Sequence, residues 1–163
     1  MLVSVREITP NDVNQRYCEW MNDPEVNAYL ECRDTRWTEE SLLDYIERMK
    51  SDHKFFAILA DGKHIGNMKI GPINKKHLYA DLGLVIGDKS YWGKGCATKA
   101  FILMIEQARA MGLHKLICSP YKNSNPGSLK ALMKSGFTIA GEYKSHMLLR
   151  GEYVDVYLME KML

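Results

Sequence analysis

Tyr91-Trp92-Gly93-Lys94-Gly95-Cys96-Ala97-Thr98-Lys99-Ala100 is the stretch that decides how this chain is read. An apolar run at residues 82–86 precedes it, and an amphipathic helix starts inside it. Two glycines flanking a lysine at a helix start make a bend whose backbone N–H groups can face a phosphate. The same residues also suit a loop with merely flexible glycines. Two familiar nucleotide motifs are excluded by spacing. A P-loop needs four residues between its first glycine and the Gly-Lys pair, then Ser or Thr. Here five residues separate Gly87 from Gly93, and Gly95 follows Lys94. A dinucleotide fingerprint needs a third glycine three residues after Gly95, where this chain has Thr98.

The helix beyond the bend is strongly specified. Ala97, Ala100, Phe101, Met104, Ile105, Ala108 and Met111 recur at helical spacing as one apolar stripe. Lys99, Glu106, Gln107 and Arg109 fall on the other side, and Gly112 suits the position just past the end. The helix is thus expected to pack on a sheet, its partial positive end joining Lys89 and Lys94 in favouring an anion.

The 163 residues are 46% hydrophobic and 26% charged, the balance of an ordinary globular protein, and predict one domain spanning 1–163. A net charge of +2, with no run of lysines, argues against nucleic acid. No segment has the length or apolarity of a membrane span or a signal h-region, so the expected location is cytoplasmic. Cys18, Cys32, Cys96 and Cys118 are scattered, with no Cys-x-x-Cys pair and no histidine at ligand spacing; neither a metal site nor a disulfide is expected. Cys96 lacks a local histidine and reads as a small packing residue rather than a nucleophile.

Outward from the bend, residues 1–8 read as a strand. Thr9-Pro10 then opens a helix that buries Val13, Tyr17, Trp20 and Met21 and breaks at Asp23-Pro24. Thr38 caps a second helix with Leu42, Leu43, Ile46 and Met49 inside. Residues 55–59 and 63–70 form a hairpin at Asp61-Gly62, and Gly71-Pro72 with Asn74 turns the chain again. In the next strand Leu78, Ala80, Leu82, Leu84 and Ile86 take one face, and Tyr79, Asp81, Gly83 and Val85 the other. Gly83 signals a bulge or a close backbone approach. A short strand at residues 115–119 follows the long helix and is expected to lie parallel to its predecessor. Asn125-Pro126 starts a last helix with Leu129, Leu132 and Met133 buried, ended by Gly136. A final hairpin turns near Arg150-Gly151. The order β-α-α-β-β-β-α-β-α-β-β implies an α/β (α+β) fold, a mixed sheet flanked by helices.

Three separated motifs carry a family resemblance: Tyr91 through Thr98; Asn125-Pro126-Gly127-Ser128 continuing to Lys134-Ser135-Gly136-Phe137; and Trp20-Met21-Asn22-Asp23-Pro24-Glu25-Val26. On these residues the chain resembles the GCN5-related N-acetyltransferase (GNAT) superfamily, and within it enzymes acetylating ribosomal-protein alanine or nucleotide-linked amino sugars. The resemblance implies a mostly antiparallel twisted sheet with a splayed parallel pair, and acetyl-CoA as co-substrate. Pantetheine would bond the backbone of Leu84, Val85 and Ile86. The amides of Trp92, Gly93, Lys94, Gly95, Cys96, Ala97 and Thr98 would hold the pyrophosphate. Asn125 and Ser128 would contact the cofactor, and Asn125 also reads as a helix cap.

Direct acetyl transfer needs a base for the amine and an acid for the departing thiolate. Asp81 occupies the position where relatives often carry glutamate, and equally suits an ion pair with a neighbouring lysine. Glu142, Tyr143 and His146 are further base candidates. Many relatives carry an acidic tyrosine where this chain has Leu132; Ser128 is the acid in the resembling branch, or a capping residue. On the acceptor side, Arg33, Arg36 and Trp37 suit a diphosphate, or belong to a solvated loop. The expected acceptor is an amino sugar or sugar nucleotide, with a peptide N-terminus as the alternative, and an idle acetyl-CoA-binding module as the rival outside enzymes. The strand-rich C-terminus suits pairing with a second copy.

Overall fold

The computed structural model describes residues 1–163. One seven-stranded sheet runs in the order β1-β2-β3-β4-β5-β7-β6, built from β1 (Val3–Glu7), β2 (Lys54–Ala60), β3 (Lys63–Asn74), β4 (Tyr79–Ile86), β5 (Lys115–Cys118), β6 (Thr138–Leu149) and β7 (Glu152–Met162). Every neighbouring pair is antiparallel except β4 and β5. Four helices flank it: α1 (Gln15–Asn22), α2 (Glu39–Met49), α3 (Cys96–Ala110) and α4 (Pro126–Lys134).

The alternation of β4 sorts the two layers. Ala80, Leu82 and Ile86 join Phe101, Met104 and Ile105 of α3 and Leu132 of α4 in the larger core. Val85 turns the other way, against a second cluster of Tyr17, Trp20, Trp37, Leu42 and Phe55 beneath α1 and α2. Burying each large apolar side chain of this kind contributes roughly 1.5–3 kcal/mol, so α3 is fixed on the sheet by its stripe rather than by intrinsic propensity.

Four local expectations shift. The first helix begins at Gln15, capped by Asn14, because Asp12 is drawn into a two-pronged pair with Arg6 (2.7 Å twice) and also accepts from Thr9, leaving Pro10–Asp12 a single 3₁₀ turn. β3 continues through Gly71-Pro72 to Asn74, since pairing with β4 resumes at Ile73↔Ala80. Gly83 sits in regular register opposite Lys69; the irregularity falls between Ile70 and Ile73. Leu43 and Met133, expected inside, are exposed.

Two other glycines are fixed by close approach. A Cβ on Gly66 would lie 2.2 Å from the Val85 carbonyl, and one on Gly87 would lie 2.1 Å from the Trp20 ring. Gly87 therefore lets α1 press its indole onto the end of β4, immediately before the glycine bend.

Candidate active site

The parallel ladder is short. Tyr79, Ala80 and Asp81 pair with Lys115, Leu116 and Ile117, and pairing ends there, while β4 stays bonded to β3 as far as Ile86. The strands therefore part beyond Asp81. Three contacts fix which groups line the opening. The Cys118 thiol donates to the Leu82 carbonyl (3.2 Å), the Trp92 indole N–H donates to the Ile86 carbonyl (2.8 Å), and the Gly87 N–H turns back to Ile65 of β3 (2.9 Å). Backbone direction alternates along a strand, so Leu82, Leu84 and Ile86 present amides to the opening while Val85 presents its own to β3. Of the three residues expected to bond pantetheine, Leu84 and Ile86 are placed for it. Val85 instead contributes a side chain to the acceptor-side cluster.

At the wide end of the opening lies the bend. Asp88 caps a 3₁₀ turn (Lys89–Tyr91) by accepting from Ser90. Gly93 and Gly95 then take left-handed φ of +70° and +79°, conformations that cost a side-chain residue roughly 1–2 kcal/mol. Nothing lies within 4 Å of where either Cβ would be, so these glycines serve backbone direction, not packing. The N–H groups of Gly93, Lys94, Gly95, Cys96, Ala97 and Thr98 donate to no protein acceptor; the first bonded amide of α3 is Lys99, to Gly95 (3.1 Å). Consecutive free donors at the positive end of a fifteen-residue helix fit a diphosphate. Two sequence expectations are corrected here. The Trp92 amide is spent on Lys89 (3.1 Å), so its indole, not its backbone, serves the opening. Lys89 does not face the anion; it pairs with Asp23 (2.8 Å) and Glu25 (2.5 Å) beyond α1. Lys94 makes no ion pair and reaches over the Tyr91 ring. Cys96 is buried, and burial raises its thiol, as befits packing.

Asp81 stands where the strands part, its side chain on the α1–α2 side. It forms no ion pair with a neighbouring lysine. Burial raises its carboxyl above the usual aspartate range, against the opposing influence of Lys69 and His53. The side chain remains open to solvent and unpaired, so a substrate amine or a water can reach it. Cys118 lies close by; burial chiefly, and the Asp81 charge secondarily, push its thiol up to about 12, so it remains a protonated donor to Leu82. Asn125 caps α4, accepting from the Ser128 amide (3.2 Å), while the Ser128 hydroxyl has no protein partner. Leu132 is fully buried in the larger core, so that position offers no acid.

The remaining base candidates are accounted for otherwise. Glu142 is tied to Lys122 (2.8 Å) and Lys144, which hold its carboxyl below the usual range. Tyr143 and His146 lie against each other with their rings tilted (centroids 4.6 Å apart) on the outer strand.

The acceptor-side arginines separate. Arg33 is a structural tie: it donates to Leu30 (3.1 Å), Tyr121 (3.3 Å) and the Leu148 carbonyl (2.7 Å), fastening its loop to β6. Both terminal nitrogens are engaged within the fold, and the expectation that it clamps a diphosphate is corrected. Arg36 is exposed and unpaired. Trp37 is a core residue, 7% exposed, set edge-on to Tyr45 (5.3 Å).

Sequence reasoning missed Lys69, Tyr45 and His53. Lys69 lies across Gly83, its Cγ 3.4 Å from where a Cβ would be, and donates to the Tyr45 hydroxyl (3.3 Å). His53 covers Gly71 and bonds Asp52 (2.7 Å). The signal was a lone lysine between buried Met68 and Ile70, facing a glycine in the next strand. No group of three or more His, Cys, Asp and Glu side chains could hold a metal ion, and no helix is long and apolar enough to cross a membrane.

Comparison with known proteins agrees with this geometry. The fold resembles spermidine N-acetyltransferase from Vibrio cholerae, solved with CoA and spermine (TM-score 0.86, 19% identity, covering 98% of this chain and 95% of that one). It also resembles ribosomal-protein-S5-alanine acetyltransferase from Vibrio fischeri (0.81, 24%, 98% and 92%) and Mycobacterium smegmatis RimJ with CoA-disulfide (0.84, 20%, 98% and 81%). Residues 3–138 match the family described as Acetyltransferase (GNAT) domain. With the splayed pair, the donor-lined bend and that match together, the chain belongs to the GNAT acetyltransferases and is an N-acetyltransferase that uses acetyl-CoA.

Proposed function

We propose that the protein acetylates the primary amine of an amino sugar or sugar nucleotide by direct attack, with Asp81 as base and Ser128 as acid. The observation that carries this reading is the continuity from the free amides of the bend, along Leu84 and Ile86, to an unpaired carboxylate where β4 and β5 part. Acetyl-CoA supplies an activated thioester. The chain's own residues do the rest: the amides from Gly93 to Thr98 bind the diphosphate, and Leu84 and Ile86 align the pantetheine arm. Asp81 takes the ammonium proton, directly or through one water, and the Ser128 hydroxyl gives a proton to the leaving sulfur. Holding both reactants in line supplies more of the acceleration than either proton transfer, which contributes roughly 10²–10⁴-fold.

The test couples calorimetric titration with CoA to thiol release from acetyl-CoA, across amino sugars, sugar-nucleotide amines, spermidine and an N-terminal alanine peptide. Turnover of the sugar amines ahead of the others supports the proposal. CoA binding with no thiol release for any amine would leave a binding module; preference for the peptide would move the acceptor to protein N-termini.

A further inference from the structure

The opening between β4 and β5 has a closed end, and a clasp between the two strands closes it. The last ladder pair is Asp81↔Ile117. One step further, Leu82 and Cys118 are joined through a side chain instead of the backbone: the Cys118 thiol donates to the Leu82 carbonyl at 3.2 Å. Behind this clasp the protein is filled. On its far edge Cys118 is paired with Met159 of β7, which is 1% exposed, and Leu116 and Leu132 are fully buried in the same core. A close-packed interior leaves the thiol nowhere to retreat when a longer group presses on it. Cys118 itself is half-buried, so a ligand in the opening can touch it.

The free amides of the bend lie beyond Ile86, at one end of the opening, and Asp81 lies at the other. An arm held at the bend therefore runs back along β4, and its thioester comes to rest beside Asp81 and against the clasp. The acyl group is the last part of such a ligand, and Cys118 is what it meets. From this arrangement we infer that Cys118 sets the length of the acyl group, admitting acetyl and excluding longer chains. The inference rests on the reading of the opening given above and adds its acyl selectivity. No step passes through the cysteine: burial keeps its thiol protonated, so it acts as a wall and not as a nucleophile. One added methylene against a fixed apolar wall is discriminated by about 10–200-fold.

Matched thioesters supply the test, using the full chain. Without any amine, calorimetric titration compares acetyl-CoA with propionyl-CoA, and CoA, which carries no acyl group, is the reference for each protein. The wild type is expected to bind acetyl-CoA about tenfold or more tighter than propionyl-CoA. Cys118→Ala removes the sulfur from the wall and should bring that ratio within about threefold, chiefly by tightening propionyl-CoA. Cys118→Ser keeps nearly the same size and a donor for the Leu82 carbonyl, and should hold the ratio at about tenfold or more. Cys118→Val pushes the wall forward by a methyl group and should weaken acetyl-CoA relative to CoA by about tenfold or more.

Turnover gives a second readout. With the best amine from the screen above, kcat/KM should follow the same order, the wild type favouring acetyl-CoA and Cys118→Ala using both thioesters. A wild type that binds and uses propionyl-CoA as readily as acetyl-CoA would overturn the assignment, and so would a Cys118→Ala variant that keeps the full wild-type preference. Failure of the wild type to bind CoA at all would instead remove the reading beneath it, and the reference titration tells the two apart.

Discussion

Gly95 offers a direct measure of what the bend contributes. Its φ of +79° is matched almost degree for degree by Gly62 in the β2–β3 hairpin, at +81°, and neither has any atom within 4 Å of a would-be Cβ. Gly95→Ala and Gly62→Ala therefore impose the same backbone strain without a clash, roughly 1–2 kcal/mol each. For a chain of this length that lowers Tm by about 2–8 °C in both variants. The variants diverge in ligand affinity. An alanine at position 95 relieves its strain by rotating toward ordinary helical φ, which swings the adjacent free amides away from the diphosphate. Losing one charge-assisted bond costs about 1.5–3 kcal/mol, or roughly 10–150-fold in Kd for CoA. Gly62 lies in the β2–β3 turn, outside the run of free amides, and its variant should bind CoA as the wild type does. Thermal denaturation and calorimetry on the two variants give both numbers. If Gly95→Ala loses stability as Gly62→Ala does yet binds CoA within about twofold of wild type, the backbone amides of the bend are not the diphosphate site.

Asp81→Asn should lower kcat by roughly 10²–10⁴-fold with CoA affinity intact and remove the acid limb of the pH–rate profile. The Asp81 side chain is exposed and makes no ion pair or hydrogen bond within the protein, so the variant should melt close to wild type; a normal rate would end its role as base. Gly87→Ala should cost roughly 1–3 kcal/mol through its collision with Trp20, and less in a Trp20→Leu background, a coupling that a double-mutant denaturation cycle measures. Asp12 titrates below its ordinary value because of Arg6, then Thr9. Its contribution is therefore complete above the unfolded-state value near 3.8 and is lost as pH falls below it; Asp12→Asn should cost about 2 kcal/mol at pH 7 by urea denaturation and progressively less toward pH 2.

What could be read from the sequence was local. The bend, the α3 stripe, the Asn125 cap and the Asp61-Gly62 hairpin depend on residues a few positions apart, and all stand where spacing placed them. What escaped depends on partners far along the chain. Gly87 gained its meaning from Trp20, 67 positions earlier. Arg33 looked free until β6 arrived beneath it at Leu148. Lys69 stands out as a lone lysine between Met68 and Ile70, but its meeting with Tyr45 is made only when α2 closes over the sheet.

Lys89 fastens the bend to the segment beyond α1 through Asp23 and Glu25, and the Trp20 indole seats on Gly87 a few positions away. The nucleotide's berth and the wall of the amine's chamber are thus bolted together at two points. Stiffening one stiffens the other, so by reciprocity occupancy of either should tighten its neighbour.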